Sequence, residues 1–332
     1  MIRYGIFGFG LHAIRRLMPG FALATNSSVT ALYRRDMNQA RDSAALYKIP
    51  HAFDSPADLC CCPEVDAVFV ASPNNSHLEH VLSAIDAGKP VLCEKPMGIN
   101  AGECRRMVEA ARAANELLGV AHVFRFNRSI EKLRQQVKAG DVGKPIFVRA
   151  EFSFSARNHP RKWMTDPKIA GGGPIADVGV HCVDALQWIL NDEIVSVNAI
   201  ASSDQDSGDV EAAAALLLRF SRGTLGSVLV STRADYRTPV EIVGDIGTLK
   251  ATDAFSVENP VDLEWCRAGK VINREVISNI DAYARQVDAF SAAVEGKAAF
   301  PIPGKEGWQN QEVLDAAYRS LKSGKLEVVP RL

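Results

Sequence analysis

The chain has 332 residues, 47% of them hydrophobic, and a formal net charge of -1 at pH 7. A chain of that length fills one very large core or two ordinary ones, and two domains are the better expectation. It carries no block of lysines and arginines and no basic stripe interleaved with aromatics, so a nucleic acid or a charged membrane surface finds no electrostatic footprint.

Met1–Phe7 runs directly into a short apolar strand, without the longer apolar core and small-residue cleavage site of a signal peptide. No later run approaches the roughly 20 apolar residues of a membrane helix. A soluble, cytoplasmic protein is expected. Seven cysteines, an odd number at no framework spacing, argue against a disulfide scaffold. The adjacent Cys60, Cys61 and Cys62 point in diverging directions and suit tetrahedral zinc poorly, so no metal is expected.

In chain order, short apolar strands are predicted at Ile2–Phe7, Val29–Tyr33, Ala67–Ala71, Val91–Cys93 and Leu118–His122. Helical spacing of apolar residues falls between them at Gln39–Tyr47, His77–Ala87 and Glu103–Ala114. This is the pattern of repeated βαβ units, hence of a mainly parallel, doubly wound sheet in an α/β fold. The pattern changes near Phe124, which divides the chain into domains at 1–123 and 124–332. A helix around Ile130–Lys138 and strand-like alternation over Pro145–Phe154 follow. From Ser196 to about Val276 strands separated by turn signals predict an open, mainly antiparallel sheet. Helical patterns return at Tyr283–Val294 and Gly307–Ser320.

Gly8-Phe9-Gly10-Leu11-His12-Ala13 follows the first strand and opens a helical pattern, the context in which a glycine fingerprint carries meaning. Gly8 permits the tight turn, Gly10 lets a pyrophosphate approach the backbone, and Ala13 is small enough for close helix–sheet packing. The second strand ends in Tyr33-Arg34-Arg35-Asp36 rather than in the acid that usually receives the ribose 2′-hydroxyl. Two guanidinium groups suit a 2′-phosphate, so NADP(H) is favoured over NAD(H), with Asp36 left as the residue that would serve NAD(H).

Val91-Leu92-Cys93-Glu94-Lys95-Pro96 is a buried strand ending in an acid and a base, where the ligand crevice of such a fold lies. The run Gly171-Gly172-Gly173-Pro174 leads into Asp177 and His181, four apart and on one face if the segment is helical. These three ordered motifs resemble the Gfo/Idh/MocA oxidoreductase family, over nearly the whole chain.

The resemblance implies an N-terminal Rossmann domain bearing the nucleotide. The second domain would bind substrate and use its open sheet to form a homodimer or homotetramer. It implies that Ser72, Pro73, Asn74 and His77 pass under the nicotinamide ribose, with Glu94, Lys95 and Pro96 beside the cofactor. It implies Lys95, Arg125, Asn127, Trp163, Asp177, His181 and Tyr283 around a carbohydrate-like small molecule: a sugar, keto-sugar, polyol or cyclitol. Trp163 and Tyr283 match the sugar-reducing members.

His181, whose unperturbed pKa lies nearest neutrality, is the expected acid/base. Lys95 would polarise the substrate oxygen and Asp177 orient its hydroxyls, although Lys95 and His181 can exchange roles. Plainer roles stand beside these: Asp177 as a helix cap, Trp163 as core, Arg125 as an ion-pair partner and Asp184 as a brace for the helix. Two rival activities follow from the same resemblance, a glycosidase that recycles a retained NAD and a non-catalytic sensor of nucleotide and sugar.

Overall fold

The opening apolar run becomes β1 (Ile2–Phe7), the centre of a six-stranded parallel sheet in a computed structural model that describes residues 1–157 and 160–332. The other strands of the sheet are β2 (Ser27–Tyr33), β3 (His51–Phe53), β4 (Ala67–Val70), β5 (Val91–Cys93) and β6 (Leu118–Val120). They lie in the order β3-β2-β1-β4-β5-β6, every pair parallel. Crossovers run through α1 (Met18–Leu23), α2 (Met37–Tyr47), α3 (Pro56–Cys61), α4 (His77–Asp86) and α5 (Ala101–Ala114). All of β4 is buried, as a strand covered on both faces must be. Every strand expected in this region forms. β3 is an addition, because three residues at a sheet edge are too few for a period to show. The order reverses between β1 and β4, so ligands of such a sheet bind outside the carboxyl ends of those two strands.

One compact unit consists of Met1–His122 together with Tyr283–Trp308. Polar contacts hold the later segment to the earlier one. The fully buried Tyr4 hydroxyl lies 2.9 Å from Ser291 Oγ, and Asp288 accepts from the Thr25 and Asn26 N–H groups at 2.7 and 2.9 Å. Burial pushes the Asp288 carboxyl up, but those N–H groups outweigh it and leave the carboxyl below its usual range. Gly119 is glycine for contact, since a Cβ there would stand 2.7 Å from the Phe300 ring.

The other unit consists of Val123–Ala282 with Gln309–Leu332. Its strands are β7 (Pro145–Ser153), β8 (Ile194–Ser202), β9 (Ala213–Phe220), β10 (Leu225–Ser231), β11 (Val240–Gly244), β12 (Thr248–Ala251), β13 (Val261–Arg267), β14 (Lys270–Ile277) and β15 (Glu327–Val328). They form one sheet in the order β14-β13-β12-β11-β7-β10-β9-β8-β15, antiparallel except where β10 runs parallel to β7. That exception arises because no hairpin joins β7 to β10. Helices α6 (Arg128–Ala139), α7 (Pro167–Ala170) and α8 (Val180–Leu190) precede β8, with α8 against α6 and β7. Helices α9 (Ala282–Val294) and α10 (Gly304–Ser323) follow β14. Alternation gives the sheet a buried face of Val148, Ala150, Leu216, Leu218, Val228 and Val230. Its opposite face exposes Phe147, Leu217, Leu225 and Leu229.

Among the described residues no helix is long and apolar enough to cross a membrane. Cys60 and Cys62 are buried at the end of α3 while Cys61 is exposed, and burial pushes the Cys60 thiol up to about 11.

Candidate nucleotide and substrate sites

Directly after β1, Gly8 adopts φ 82°, and a Cβ there would lie 2.4 Å from Ser72 Cα. Only glycine lets the turn pass the end of β4. Gly8 and Phe9 donate their N–H groups to Tyr33 O at the end of β2. At Gly10 an added Cβ would meet nothing nearer than Gly8 O at 3.9 Å, so the backbone is open to a phosphate. Phe9 turns its ring into the core beside Tyr47, so its main chain faces the loop, and Leu11 is half-buried. The helix opens on a π-helical turn, Ala13–Leu17. Pro19 accounts for this, since it has no N–H and its ring crowds the carbonyl one turn back. These residues fit a dinucleotide: the turn is fixed by Gly8, and at Gly10 no side chain covers the backbone that a phosphate would approach.

At the end of β2, the Arg34 guanidinium lies along α2, donating to Ser43 Oγ at 2.9 Å and Gln39 Oε1 at 2.7 Å. Asp36 caps α2 by accepting from the Gln39 N–H at 2.9 Å. One of its carboxylate oxygens is thereby used by the helix. Arg35 is exposed.

The loops after β4 and β5 are tied together by His77, fully buried at the start of α4. Its Nε2 is 2.9 Å from Ser72 O and its Nδ1 is 3.0 Å from Pro96 O. Burial pushes the His77 imidazole down. Burial first, and then the charge of His77, holds His80 down at about 4, with its Nδ1 2.9 Å from Ser72 Oγ. Pro73 precedes a 3₁₀ turn, Asn74–Ser76, in which Asn74 is buried. The Lys95–Pro96 bond is cis.

Glu94 links the two halves of this region. Its Oε1 is 2.8 Å from His12 Nε2 in the nucleotide loop, and its Oε2 accepts the Lys95 N–H at 3.2 Å. Burial pushes the Glu94 carboxyl up, yet the His12 charge and hydrogen bond, with Lys95, outweigh it and leave it below its ordinary value. Glu94 is therefore a buried anion beside Lys95. Tyr283 brings its ring edge-on to His12 at 6.2 Å. His12, Glu94, Lys95, the Ser72–His77 loop and Tyr283 thus gather on the first unit.

On the second unit, Asp177 lies in a π-helical turn, Ile175–Gly179, that continues as α8 with His181 in its first turn. From residue 172 to 186 every residue except Asp177 is buried, so Asp177 is the polar group this stretch presents outward. The His181 ring is walled by phenylalanines. Phe124 meets it edge-on at 4.5 Å, Phe152 stacks on it at 5.9 Å, and Phe255 stacks on Phe152 at 5.4 Å.

Arg125 is held by Asp184, Nε to Oδ2 at 2.9 Å and Nη2 to Oδ1 at 2.6 Å, and Asn310 Nδ2 donates to the same carboxylate at 2.8 Å. Asn127 is buried and donates to Ala254 O and Ser256 O at 3.0 and 3.2 Å. Trp163 is half-buried in a 3₁₀ turn, Lys162–Thr165, with the Arg161 guanidinium 5.9 Å from its ring centre.

Sequence reasoning missed Glu211 and Tyr318. The Glu211 carboxylate accepts from Gly173 N–H at 3.1 Å, Ile175 N–H at 2.9 Å and the Tyr318 hydroxyl at 3.0 Å. Neither residue is near the glycine run in the chain, and no local pattern marks them. Phe152 was visible as strand alternation, but its approach to His181 was not.

Comparison with known proteins agrees with this architecture. Residues 2–122 match the oxidoreductase family with an NAD-binding Rossmann fold, and residues 130–250 match the GFO/IDH/MocA C-terminal domain. The chain is similar to a trans-1,2-dihydrobenzene-1,2-diol dehydrogenase of Mus musculus, 33% identical over 74% of this chain and 73% of that one. It is also similar to a 1,5-anhydro-D-fructose reductase of Ensifer adhaerens, 29% identical over 92% of both chains. The structure of an aldose–aldose oxidoreductase from Caulobacter crescentus, complexed with glycerol, superposes with a TM-score of 0.92 at 25% identity, covering 98% of this chain and 99% of that one. Because the two family matches together cover both the parallel-sheet unit and most of the strands that follow it, the chain belongs to the Gfo/Idh/MocA family of NAD(P)-binding oxidoreductases.

Proposed function

We propose that this chain is an NADP(H)-dependent oxidoreductase acting on a CH–OH carbon of a ring-bearing sugar, polyol or vicinal diol. The observation that carries the reading is Glu94, a buried carboxylate that touches both the nucleotide loop, through His12, and Lys95. When bound, the nicotinamide supplies the hydride acceptor or donor, and the residues of the chain supply orientation and one proton. Gly8, Gly10 and the helix that follows them hold the pyrophosphate, and Arg34 with Arg35 take the 2′-phosphate. Lys95 Nζ polarises the substrate oxygen. His181, whose Nδ1 is buried, takes the hydroxyl proton on Nε2 during oxidation and returns it during reduction. Asp177 orients neighbouring hydroxyls.

The phenylalanines around His181 favour a substrate whose ring offers an apolar C–H face. Both the diol named for the mouse relative and the sugar ring named for the Ensifer relative do so. The partner proposed for the exposed sheet face is a second copy of the chain. Phe147, Leu217, Leu225 and Leu229 form an apolar stripe there, beside the Arg149–Glu241 pair at 2.8 Å. A monomer in sedimentation at micromolar concentration would remove that part of the reading.

Titration of cofactor-stripped protein with NADPH and NADH, followed by absorbance turnover on cyclic diols, inositols, aldoses and keto-sugars, tests the function. NADPH is expected to bind more tightly. Arg34→Ala should weaken NADPH about 10- to 100-fold while changing NADH by about threefold at most, from the loss of charge-assisted bonds to the phosphate. Equal loss for both cofactors would overturn the phosphate assignment. Cofactor binding without turnover on any of the panel would overturn the enzyme.

A further inference from the structure

We infer that Glu211 is a positioning residue for the proposed hydride-transfer step, its buried carboxylate fixing the helical turn that carries Asp177 and His181. The inference rests on the function proposed above for those two residues. Its physical basis is the start of that helix.

A helix begins with N–H groups that have no partner within it, and most helices satisfy them with a neighbouring side chain. In this chain Asp36 serves α2 and Asn100 serves α5 in that way. Ahead of the turn Ile175–Gly179 the sequence is Gly171-Gly172-Gly173-Pro174, which offers no capping side chain at all. The cap comes instead from Glu211, 38 residues beyond Gly173, whose Oε2 takes the Gly173 N–H and whose Oε1 takes the Ile175 N–H. An anion at that end also matches the positive end of the helix. Asp177 N–H then donates to Gly173 O at 3.0 Å, so the first turn is closed on the residue that Glu211 holds.

The glycines are explained by the same contact. A Cβ at Gly172 would stand 1.7 Å from the Tyr318 hydroxyl oxygen, and one at Gly173 would stand 2.2 Å from Glu211 O. Any side chain at either position pushes the anchor away. Tyr318 is itself part of the anchor. Burial and then the charge of Glu211 hold its phenol well above the usual range, so it remains a donor to Glu211 Oε1. The turn that carries Asp177 and leads into His181 is thus located by β9's entry and by α10, with its own glycines making room for them.

Glu211→Gln preserves length but sets an amide NH₂ against one of the two N–H groups. Because a displacement of about 1 Å at a reacting group costs on the order of 100-fold, kcat should fall about 10- to 100-fold. Substrate KM should stay within about threefold, as should NADPH affinity, since the first unit is untouched. In a background carrying both Asp177→Asn and His181→Asn the same change should cost less than about threefold, because a residue that acts through His181 and Asp177 then has nothing left to position. Amide hydrogen exchange needs no substrate. Residues 173–181 should exchange at least about tenfold faster in Glu211→Gln, with β1–β6 unchanged.

Unchanged exchange at 173–181, or a full kcat loss added on top of the combined Asp177→Asn and His181→Asn changes, would overturn the inference. Should Glu211→Gln fail to fold, Tyr318→Phe removes one of the three bonds, and the same local loss of protection is expected in smaller degree; its absence overturns the inference equally. If wild-type protein binds no NADPH, the function proposed above fails while the exchange result still decides the anchoring.

Discussion

His181→Asn lowers kcat about 100- to 10,000-fold and leaves NADPH affinity within about threefold, the expected outcome for a group whose task is one proton transfer. Asparagine keeps a planar polar side chain in the phenylalanine box formed by Phe124 and Phe152, so the walls have no reason to collapse. What it removes is a ring nitrogen that can take up and return a proton, which an amide cannot do. The pH profile separates the two candidates for that role. If His181 is the acid/base, a limb of the kcat/KM profile present in the wild type disappears in His181→Asn. If the limb survives there and is lost in Lys95→Met, the roles are exchanged. Turnover in His181→Asn near that of the wild type would end its assignment, and would leave Lys95, beside the buried Glu94 anion, as the only proton-transferring group of the proposed pair.

The sheet of the first unit was legible because parallel strands buried on both faces read as apolar runs and their crossovers as helical periods. β1 and β5 form with the expected ends. The Gly8–Ala13 loop was legible for a related reason: its function needs specific backbone at specific spacing, which a one-dimensional string records directly. Side-chain couplings between distant positions leave no such trace. Nothing about His12 in the sequence points to Glu94, 82 residues away, and nothing about Tyr4 announces Ser291. The return of Tyr283–Trp308 to the first unit is of this kind, since it rests on Asp288 and Ser291 finding partners near the start of the chain. Asp36 shows the converse. Its two readings, ribose acid or something else, were open in sequence, and the Gln39 N–H that it caps gives the carboxylate another task.

Arg125 shows how a motif residue and a structural one can coincide, and it carries the largest stability effect expected here. Asp184→Ala should destabilise the second unit by about 3–5 kcal/mol, the usual consequence of removing one member of a buried ion pair. The side chains of Arg125 and Asp184 are 5% and 3% exposed, and Asn310 would lose its acceptor with Arg125. Urea unfolding followed by far-UV circular dichroism reads the change, and a loss below about 1 kcal/mol would mean that water or another acceptor relieves the guanidinium. The double variant Arg125→Met with Asp184→Leu should recover most of that stability, because apolar groups of similar volume often replace a buried pair without cost. A methionine can also keep contact with Trp188, whose ring centre lies 4.7 Å from the Arg125 guanidinium carbon. That variant makes the functional question answerable without confusion from unfolding. If Arg125 contacts substrate, the stable double variant raises KM; if it only braces α8 through Asp184, KM and kcat both stay near those of the unmodified chain.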